Sequence, residues 1–135
     1  MVPAKELHRN RFSVLVTDDD EASRSAVCES IAHRGYHTLT AGSGTEAIEV
    51  VRREVIHAVI MDVNMPDIDG IQTFETIEQI VHVRLPCIFM SAHLTNETRL
   101  RALMAQAYTI LPKPLNLHLV RLLVDDVISK FYGEE

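Results

Sequence analysis

Acidic side chains concentrate in two short segments of this 135-residue chain, and together they could do chemistry. Seven of the 19 Asp and Glu residues lie within 18–21 and 62–69. Further along the chain, Ser91 adds a hydroxyl group and Lys113 adds a positive charge. Carboxylates that are brought together repel one another unless a cation neutralises them. If the fold gathers these residues, we therefore expect a cation among them.

Oxygen ligands without Cys or His favour a hard cation, and Mg²⁺ more than Zn²⁺. Mg²⁺ also accepts phosphate oxygens as ligands, and a lysine with a hydroxyl can hold the oxygens of a phosphoryl group in transfer. Positioning and electrostatics do most of the work in that reaction. One carboxylate could itself be the nucleophile and form an aspartyl-phosphate. The charges alone leave open which carboxylate this is.

Five short apolar runs alternate with five helical patterns, and these elements must position the polar residues. The predicted strands are 12–17, 36–41, 57–61, 87–90 and 108–111. The predicted helices are 21–34, 45–54, 71–81, 96–105 and a last one that starts after Asn116. This alternation predicts an α/β fold with a parallel sheet and helices on both faces.

The polar residues that follow the predicted strands should converge at one edge of the sheet. Four of the five strands end next to such residues, which are Asp18 and Asp19, Asp62, Ser91 and Lys113 in chain order. Ligands of open parallel sheets bind beyond the carboxyl ends of the strands, where the strand order reverses. The sequence thus predicts a site of three carboxylates, a hydroxyl and a lysine.

The composition argues against several other classes of protein. A net charge of −6 disfavours nucleic acid as the main partner, and 47% hydrophobic residues exclude general disorder. No apolar run approaches the roughly 18 residues of a membrane span, and the first residues lack the apolar middle of a signal peptide. The two cysteines, Cys28 and Cys87, suit a reducing compartment. We therefore expect a cytoplasmic protein without membrane contact.

Four motifs together resemble the response-regulator receiver (CheY-like) family of two-component signalling. They are VLVTDDD, VIMDVNMPDIDG, FMSA and LPKP, in the family's order. Steps of 43, 29 and 22 residues, similar to the family's spacing, separate Asp19, Asp62, Ser91 and Lys113 in turn. The resemblance implies a flavodoxin-like (βα)5 fold with strand order 2-1-3-4-5. We expect one receiver domain over 12–132, between a loose lead-in at 1–11 and a tail at 133–135.

The resemblance also implies roles for single residues. Asp62 would accept a phosphoryl group from a phosphohistidine of a sensor histidine kinase or a phosphotransfer protein. Asp18, Asp19, Asp62 and the backbone carbonyl of Asn64 would bind Mg²⁺, with Mn²⁺ as an alternative. Among these ligands, Asp19 would bind the ion directly and Asp18 through water.

The same resemblance implies how the phosphoryl group is held and how the signal leaves the domain. Ser91 and Lys113 would bind the phosphoryl oxygens, and the small Ala92 would leave Asp62 accessible. The peptide bond between Lys113 and Pro114 matches a cis bond of the family, a geometry that is cheap only before proline. A downstream protein or effector domain would contact the fourth helix, the fifth strand and the fifth helix. The sequence leaves open whether the domain forms a homodimer. The domain would be a signalling module with at most slow self-dephosphorylation, not an enzyme.

Three positions depart from the family's pattern. Ile110 stands where the family usually has Tyr or Phe, Gln106 where it has Gly, and His57 where an acid often opens the third strand. Tyr108 precedes Ile110 by two residues, which predicts that both lie on one face of the strand. These positions lie outside the phosphorylation chemistry. Ile110, however, leaves open whether this domain uses the family's usual output switch. His93, two residues after Ser91, and Asn64 could tune the site.

Two other functions remain open alternatives. A pseudo-receiver would serve only as a docking module, which Ile110 mildly favours. A Mg²⁺-dependent phosphatase would also use an aspartyl-phosphate, but it needs an acid where Asn64 stands. The chain could be a stand-alone regulator or a piece of a longer one. Outside the site, we expect Asp20 to serve the start of a helix, and Asp67 and Asp69 to be loop and turn residues.

Overall fold

The computed structural model describes residues 9–133, so positions 1–8 of the predicted lead-in and 134–135 of the predicted tail lie outside it. Strands and helices alternate along the chain. They are β1 (Ser13–Thr17), α1 (Glu21–Ala32), β2 (His37–Ala41), α2 (Gly44–Arg53), β3 (Ala58–Asp62), α3 (Gly70–Val81), β4 (Cys87–Ser91), α4 (Asn96–Met104), β5 (Thr109–Pro112) and α5 (Leu117–Tyr132). The strands form one parallel sheet in the order β2-β1-β3-β4-β5, which confirms the predicted fold and strand order.

The sheet separates two hydrophobic cores. The core beneath α2, α3 and α4 centres on Phe74 and Phe89, whose rings meet edge to face at 5.7 Å. The other core joins the sheet to α1 and α5, with Ile31 and Val124 among its buried residues. Every residue of β3 and β4 is buried, because helices cover both faces of these inner strands. Their sequences are therefore continuous apolar runs that end at polar residues.

Side-chain caps determine where the helices begin. At all five starts, the capping side chain accepts a hydrogen bond from the backbone N–H three residues later; these caps are Asp20, Ser43, Asp69, Thr95 and Asn116. The helix α1 ends two residues earlier than predicted, before Gly35 with its positive φ of 98°. The last helix continues to Tyr132.

The described part of the predicted lead-in is ordered into a turn. Residues Arg9–Arg11 form a short 3₁₀ helix. The guanidinium of Arg9 pairs with Asp125 of α5 at 3.1 Å, and Arg34 and the Tyr36 hydroxyl contact the same carboxylate. This ion-pair network ties the turn to the α1 and α5 side of the sheet.

The prediction that Tyr108 and Ile110 share a face is wrong. The strand β5 begins at Thr109, so Tyr108 precedes the strand. The alternation of side chains between the two faces of a strand therefore does not apply to Tyr108. Tyr108 packs against the core of α1 and α5, where its hydroxyl contacts Asp126. Ile110 packs against the opposite core.

No helix within residues 9–133 has the length and apolar character needed to cross a membrane.

Candidate functional site

The carboxylates of Asp18, Asp19 and Asp62 lie together at the carboxyl edge of the sheet. One oxygen atom of each lies within 4.8 Å of the others. Asp18 directly follows β1 and Asp62 is the last residue of β3, and these two strands are neighbours in the sheet. Asp18 and Asp62 are buried, with 0% and 4% of their surfaces exposed, whereas Asp19 is exposed. The cluster therefore has a buried base and one acid open to solvent.

Lys113 joins the two buried carboxylates. Its Nζ donates hydrogen bonds to Oδ2 of Asp18 and to Oδ2 of Asp62, both at 2.9 Å. The lysine follows β5, and its backbone N–H donates to the Ser91 carbonyl at 2.9 Å. The peptide bond between Lys113 and Pro114 is cis. The ammonium group thus offsets part of the negative charge that the fold buries here.

These contacts shift the pKa values of the three groups in different directions. Burial alone would raise the pKa of Asp18, but the N–H of Asp20 and the Lys113 ammonium hold that pKa below its usual value. Burial raises the pKa of Asp62, and Lys113 and the N–H of Asn64 offset only part of this. For Lys113, burial works to lower the pKa, but its two carboxylate partners raise it above the usual value. The lysine therefore stays charged beside the acids.

The main chain around Asp62 is held by close packing. Oδ1 of Asp62 accepts a hydrogen bond from the N–H of Asn64 at 3.0 Å. The start of α3 approaches this strand end so closely that a Cβ on Gly70 would lie 2.1 Å from the Asp62 carbonyl oxygen. Gly70 also donates its N–H to the Val63 carbonyl at 2.9 Å. Glycine is therefore required at position 70 for this close approach to Asp62.

Asp18 is held by contacts that the sequence did not reveal. Its Oδ1 accepts a hydrogen bond from the N–H of Asp20 at 3.0 Å, and its own N–H donates to the Ala41 carbonyl at 3.1 Å. The guanidinium of Arg24 donates to the Asp18 carbonyl at 2.7 Å. The available signal was a basic residue in the first turns of the helix after the acids. Arg24 therefore fixes the backbone that presents the acidic pair.

Ser91 lies at the end of β4, next to the strand that presents Asp62. Its side chain is buried, with 1% of the residue exposed. The hydroxyl donates a hydrogen bond to Oδ1 of Asn64 at 2.9 Å and accepts one from the N–H of His93 at 3.1 Å. Ala92 and His93 are exposed. The structure thus connects Asn64, Ser91 and His93, whereas the partly buried Ile110 pairs with Phe89 in the sheet register and packs against the core.

The remaining acids of the two acidic segments stabilise helix starts. Asp67 accepts hydrogen bonds from the N–H groups of Gly44 and Thr45, at 3.3 and 2.9 Å, and from the Thr45 hydroxyl at 2.8 Å. These bonds, with that from the Thr45 N–H foremost, hold the pKa of Asp67 below its usual range. Asp69 caps α3 and pairs with Arg101 at 2.7 Å. Both residues were expected in loops and turns, and their links to other elements were not predicted.

The donor set fits a hard divalent cation. Three carboxylates supply oxygen atoms close to one another, and Asp19 is open to solvent. Mg²⁺ in proteins is commonly held by one or two carboxylates and completes its octahedron with water or phosphate oxygens. In this cluster the buried base supplies carboxylate ligands, and the exposed side leaves room for water or phosphate oxygens.

Comparisons with known proteins agree with this geometry. The sequence matches the response regulator receiver domain family over residues 14–125. It is 34% identical over 107 residues to the transcriptional regulatory protein ZraR of Escherichia coli K12, covering 79% of this chain and 24% of that protein. It is 32% identical over 108 residues to the sensor histidine kinase RcsC of the same strain, covering 80% of this chain and 11% of the kinase. The chain thus spans a quarter or less of these relatives.

Solved structures share the fold. A receiver domain protein (CheY-like) from Methanospirillum hungatei JF-1 superposes with a TM-score of 0.85 at 19% identity, covering 92% of this chain and 98% of that one. The CheX–CheY–BeF3–Mg²⁺ complex from Borrelia burgdorferi gives a TM-score of 0.77 at 27% identity, covering 89% of each chain. The family match extends over most of the chain, and the site lies at the sheet edge where this fold binds its ligands. The chain belongs to the response regulator receiver domain family of two-component signal transduction.

Proposed function

We propose that Asp62 accepts a phosphoryl group from a phosphohistidine of a sensor histidine kinase or a phosphotransfer protein. Accepting a phosphoryl group is the general function of the family. The observation that supports Asp62 is its pair of hydrogen bonds: Oδ1 accepts from the N–H of Asn64, and Oδ2 accepts from Lys113. Hydrogen bonds from a backbone N–H and from an ammonium group favour the ionised carboxylate, which is the nucleophilic form. The side chain is thus oriented and charged before a donor arrives.

The transfer exchanges one bond at phosphorus for another. An Asp62 oxygen forms a bond to phosphorus while the bond from phosphorus to the imidazole nitrogen of the donor breaks, and the electron pair leaves with the imidazole. Lys113 and the Ser91 hydroxyl hold the phosphoryl oxygens, and the small, exposed Ala92 leaves room for the donor. Slow hydrolysis of the acyl-phosphate resets the domain.

In this proposal Mg²⁺ binds to Asp18, Asp19, Asp62 and the backbone carbonyl of Asn64, and Mn²⁺ can replace it. Once bound, the ion offsets the charge of the carboxylates and of the phosphoryl oxygens. The clustered carboxylate oxygens support this ligand set. Further support comes from the related CheY of Borrelia burgdorferi, whose complex contains both Mg²⁺ and BeF3.

The output surface in this proposal consists of α4, β5 and α5, and it contacts a downstream protein or an effector domain. Three apolar side chains on α4 support an interaction there, because Leu100, Leu103 and Met104 are 56%, 72% and 75% exposed. A homodimer through this surface is a further outcome to test. We place the domain, over residues 12–132, in the cytoplasm, in keeping with its two free cysteines.

The test is phosphoryl incorporation from acetyl phosphate in the presence of Mg²⁺. We expect wild type to be labelled, Asp62→Asn to lose the label, and chelation of Mg²⁺ to prevent it. Asp20→Asn is the matched control, since Asp20 caps α1 and Asn caps equally well. Labelling that survives in Asp62→Asn would contradict the assignment. A wild type that takes no label from acetyl phosphate or a kinase would support a docking module instead.

A further inference from the structure

The hydroxyl group of Ser91 already has a partner within the site. It donates its single proton to Oδ1 of Asn64 at 2.9 Å and accepts a hydrogen bond from the N–H of His93 at 3.1 Å. Only 1% of Ser91 is exposed, so the protein supplies these partners in place of water. The hydroxyl is therefore committed to one orientation, with its proton directed at the amide of Asn64.

A phosphoryl group on Asp62 requires the same proton. A serine hydroxyl has one proton, and an oxygen of the phosphoryl group competes for it with the amide oxygen of Asn64. The Asn64 side chain is exposed, so water can satisfy its amide after release. The buried Ser91 hydroxyl has no such alternative in the unmodified domain. Phosphorylation therefore exchanges the bond to Asn64 for a bond to the phosphoryl group.

We propose that the Asn64 side chain is a latch, which holds the Ser91 hydroxyl in the unphosphorylated orientation and must open when the site is phosphorylated. This inference rests on the proposed function. The latch joins the loop after β3 to the loop after β4, which leads into α4 through His93. Ile110 is a partly buried aliphatic residue packed against the core, and it has no hydroxyl or ring to report the movement of Ser91. In this chain, the signal leaves Ser91 through the release of Asn64 and through the hydrogen bond from the N–H of His93.

Binding of beryllofluoride in saturating Mg²⁺ tests the latch, because this probe mimics a phosphoryl group on the acceptor carboxylate. We expect Asn64→Ala to bind the probe about fivefold more tightly than wild type, which is the effect of one neutral hydrogen bond. Asn96→Ala, the same substitution at an exposed position of α4, is the matched control and should bind like wild type. Titration of Mg²⁺ alone should give equal affinities for wild type and Asn64→Ala, since the proposed ligand is a backbone carbonyl.

A double-mutant cycle separates the latch from a general effect of position 64. Ser91→Ala removes the hydroxyl, so Asn64→Ala should change beryllofluoride affinity by less than twofold in that background. The latch would be overturned if Asn64→Ala still tightened beryllofluoride binding in the Ser91→Ala background. It would also be overturned if Asn64→Ala alone bound beryllofluoride no more tightly than wild type. Both of these results leave the proposed function standing. Failure of wild type to bind beryllofluoride in Mg²⁺ would overturn the proposed function and the latch together.

Discussion

At the scale of single residues, Lys113 determines the charge balance of the site. Its ammonium group bonds to two carboxylates that are almost fully buried, and 20% of its own side chain is exposed. Removing one partner of a buried ion pair leaves uncompensated charge, which costs far more than the loss of an exposed pair. The same two acids are proposed ligands of Mg²⁺. A divalent cation should therefore substitute for the lysine in stabilising the fold.

We predict that Lys113→Met destabilises the domain by about 3 kcal/mol in the presence of a chelator. Mg²⁺ should stabilise this variant more than it stabilises wild type, so the difference in unfolding free energy between the two proteins should become smaller. Urea unfolding with and without Mg²⁺ measures both effects. Lys130→Met is the control, because its pair with Asp126 is exposed and lies on α5, and its loss should be small and independent of Mg²⁺. If Mg²⁺ leaves the difference in unfolding free energy between Lys113→Met and wild type unchanged, this role of Lys113 in the charge balance is contradicted.

At the scale of the elements, the connection from α4 to β5 contains a residue in an unfavourable conformation. Gln106 has a φ of 62°, in the left-handed region that costs a non-glycine residue about 1–2 kcal/mol. Glycine adopts this conformation without strain, but it also gains freedom in the unfolded chain, which offsets part of the benefit. The resemblance to the family implies glycine at this position.

Gln106→Gly should therefore stabilise the domain by roughly 0.5–1 kcal/mol. The shift in the urea midpoint gives the measurement. Gln106→Ala shares the loss of the side chain but keeps the strain, so we expect it to unfold at or below the wild-type midpoint. Equal midpoints for the Gly and Ala variants would show that the left-handed conformation has no cost here.

The elements and the site acids were predictable because they depend on local patterns. Apolar runs that end at acids predicted where β1 and β3 stop, and the cap residues Asp20 and Asn116 predicted helix starts. Contacts between distant segments were not predictable in this way. The bond of Asp67 to the start of α2 spans 22 residues, and the bond of Ser91 to Asn64 spans 27. Each depends on side-chain rotamers that only the packed structure defines.

Tyr108 shows a further limit of local reasoning. Alternation predicts a side chain's face only inside a strand, and the boundary of β5 falls between Tyr108 and Ile110. Because β5 begins one residue later than predicted, Tyr108 packs against the core of α1 and α5 instead of lying on the face of Ile110. Side-chain alternation therefore assigns a face only to residues that lie inside a strand.

At the scale of the whole molecule, His57 links three elements at the edge of the sheet opposite the site. Its Nδ1 accepts a hydrogen bond from the N–H of Ser13 at 3.0 Å, and its carbonyl accepts one from the Tyr132 hydroxyl at 2.6 Å. Its ring packs against Phe12 and Tyr132, with centroids 5.2 and 5.4 Å away. Burial lowers the pKa of His57, and an Nδ1 that accepts a hydrogen bond must be unprotonated.

We predict that stability falls as the pH drops below about 6.5, the usual pKa of histidine in an unfolded chain. In that range the unfolded state binds a proton that folded His57 does not, so acid favours unfolding until the pH passes the folded pKa. His57→Asn keeps an acceptor for the Ser13 N–H and should reduce the loss of stability between pH 7.5 and pH 5.5. His37→Asn, at an exposed position, is the control. This variant should lose as much stability between pH 7.5 and pH 5.5 as wild type does. An unchanged loss in His57→Asn would refute this role of His57.

The central claim concerns one atom group in the whole molecule, the carboxylate of Asp62, and mapping the phosphoryl group tests it most directly. Borohydride reduces an acyl-phosphate to the alcohol, so reduction after incubation with acetyl phosphate and Mg²⁺ should convert Asp62 to homoserine. Peptide mass spectrometry then locates the change. We predict homoserine at position 62 alone, and none when Mg²⁺ is chelated. Homoserine at Asp18, Asp19 or another acid, with Asp62 unchanged, would contradict the account.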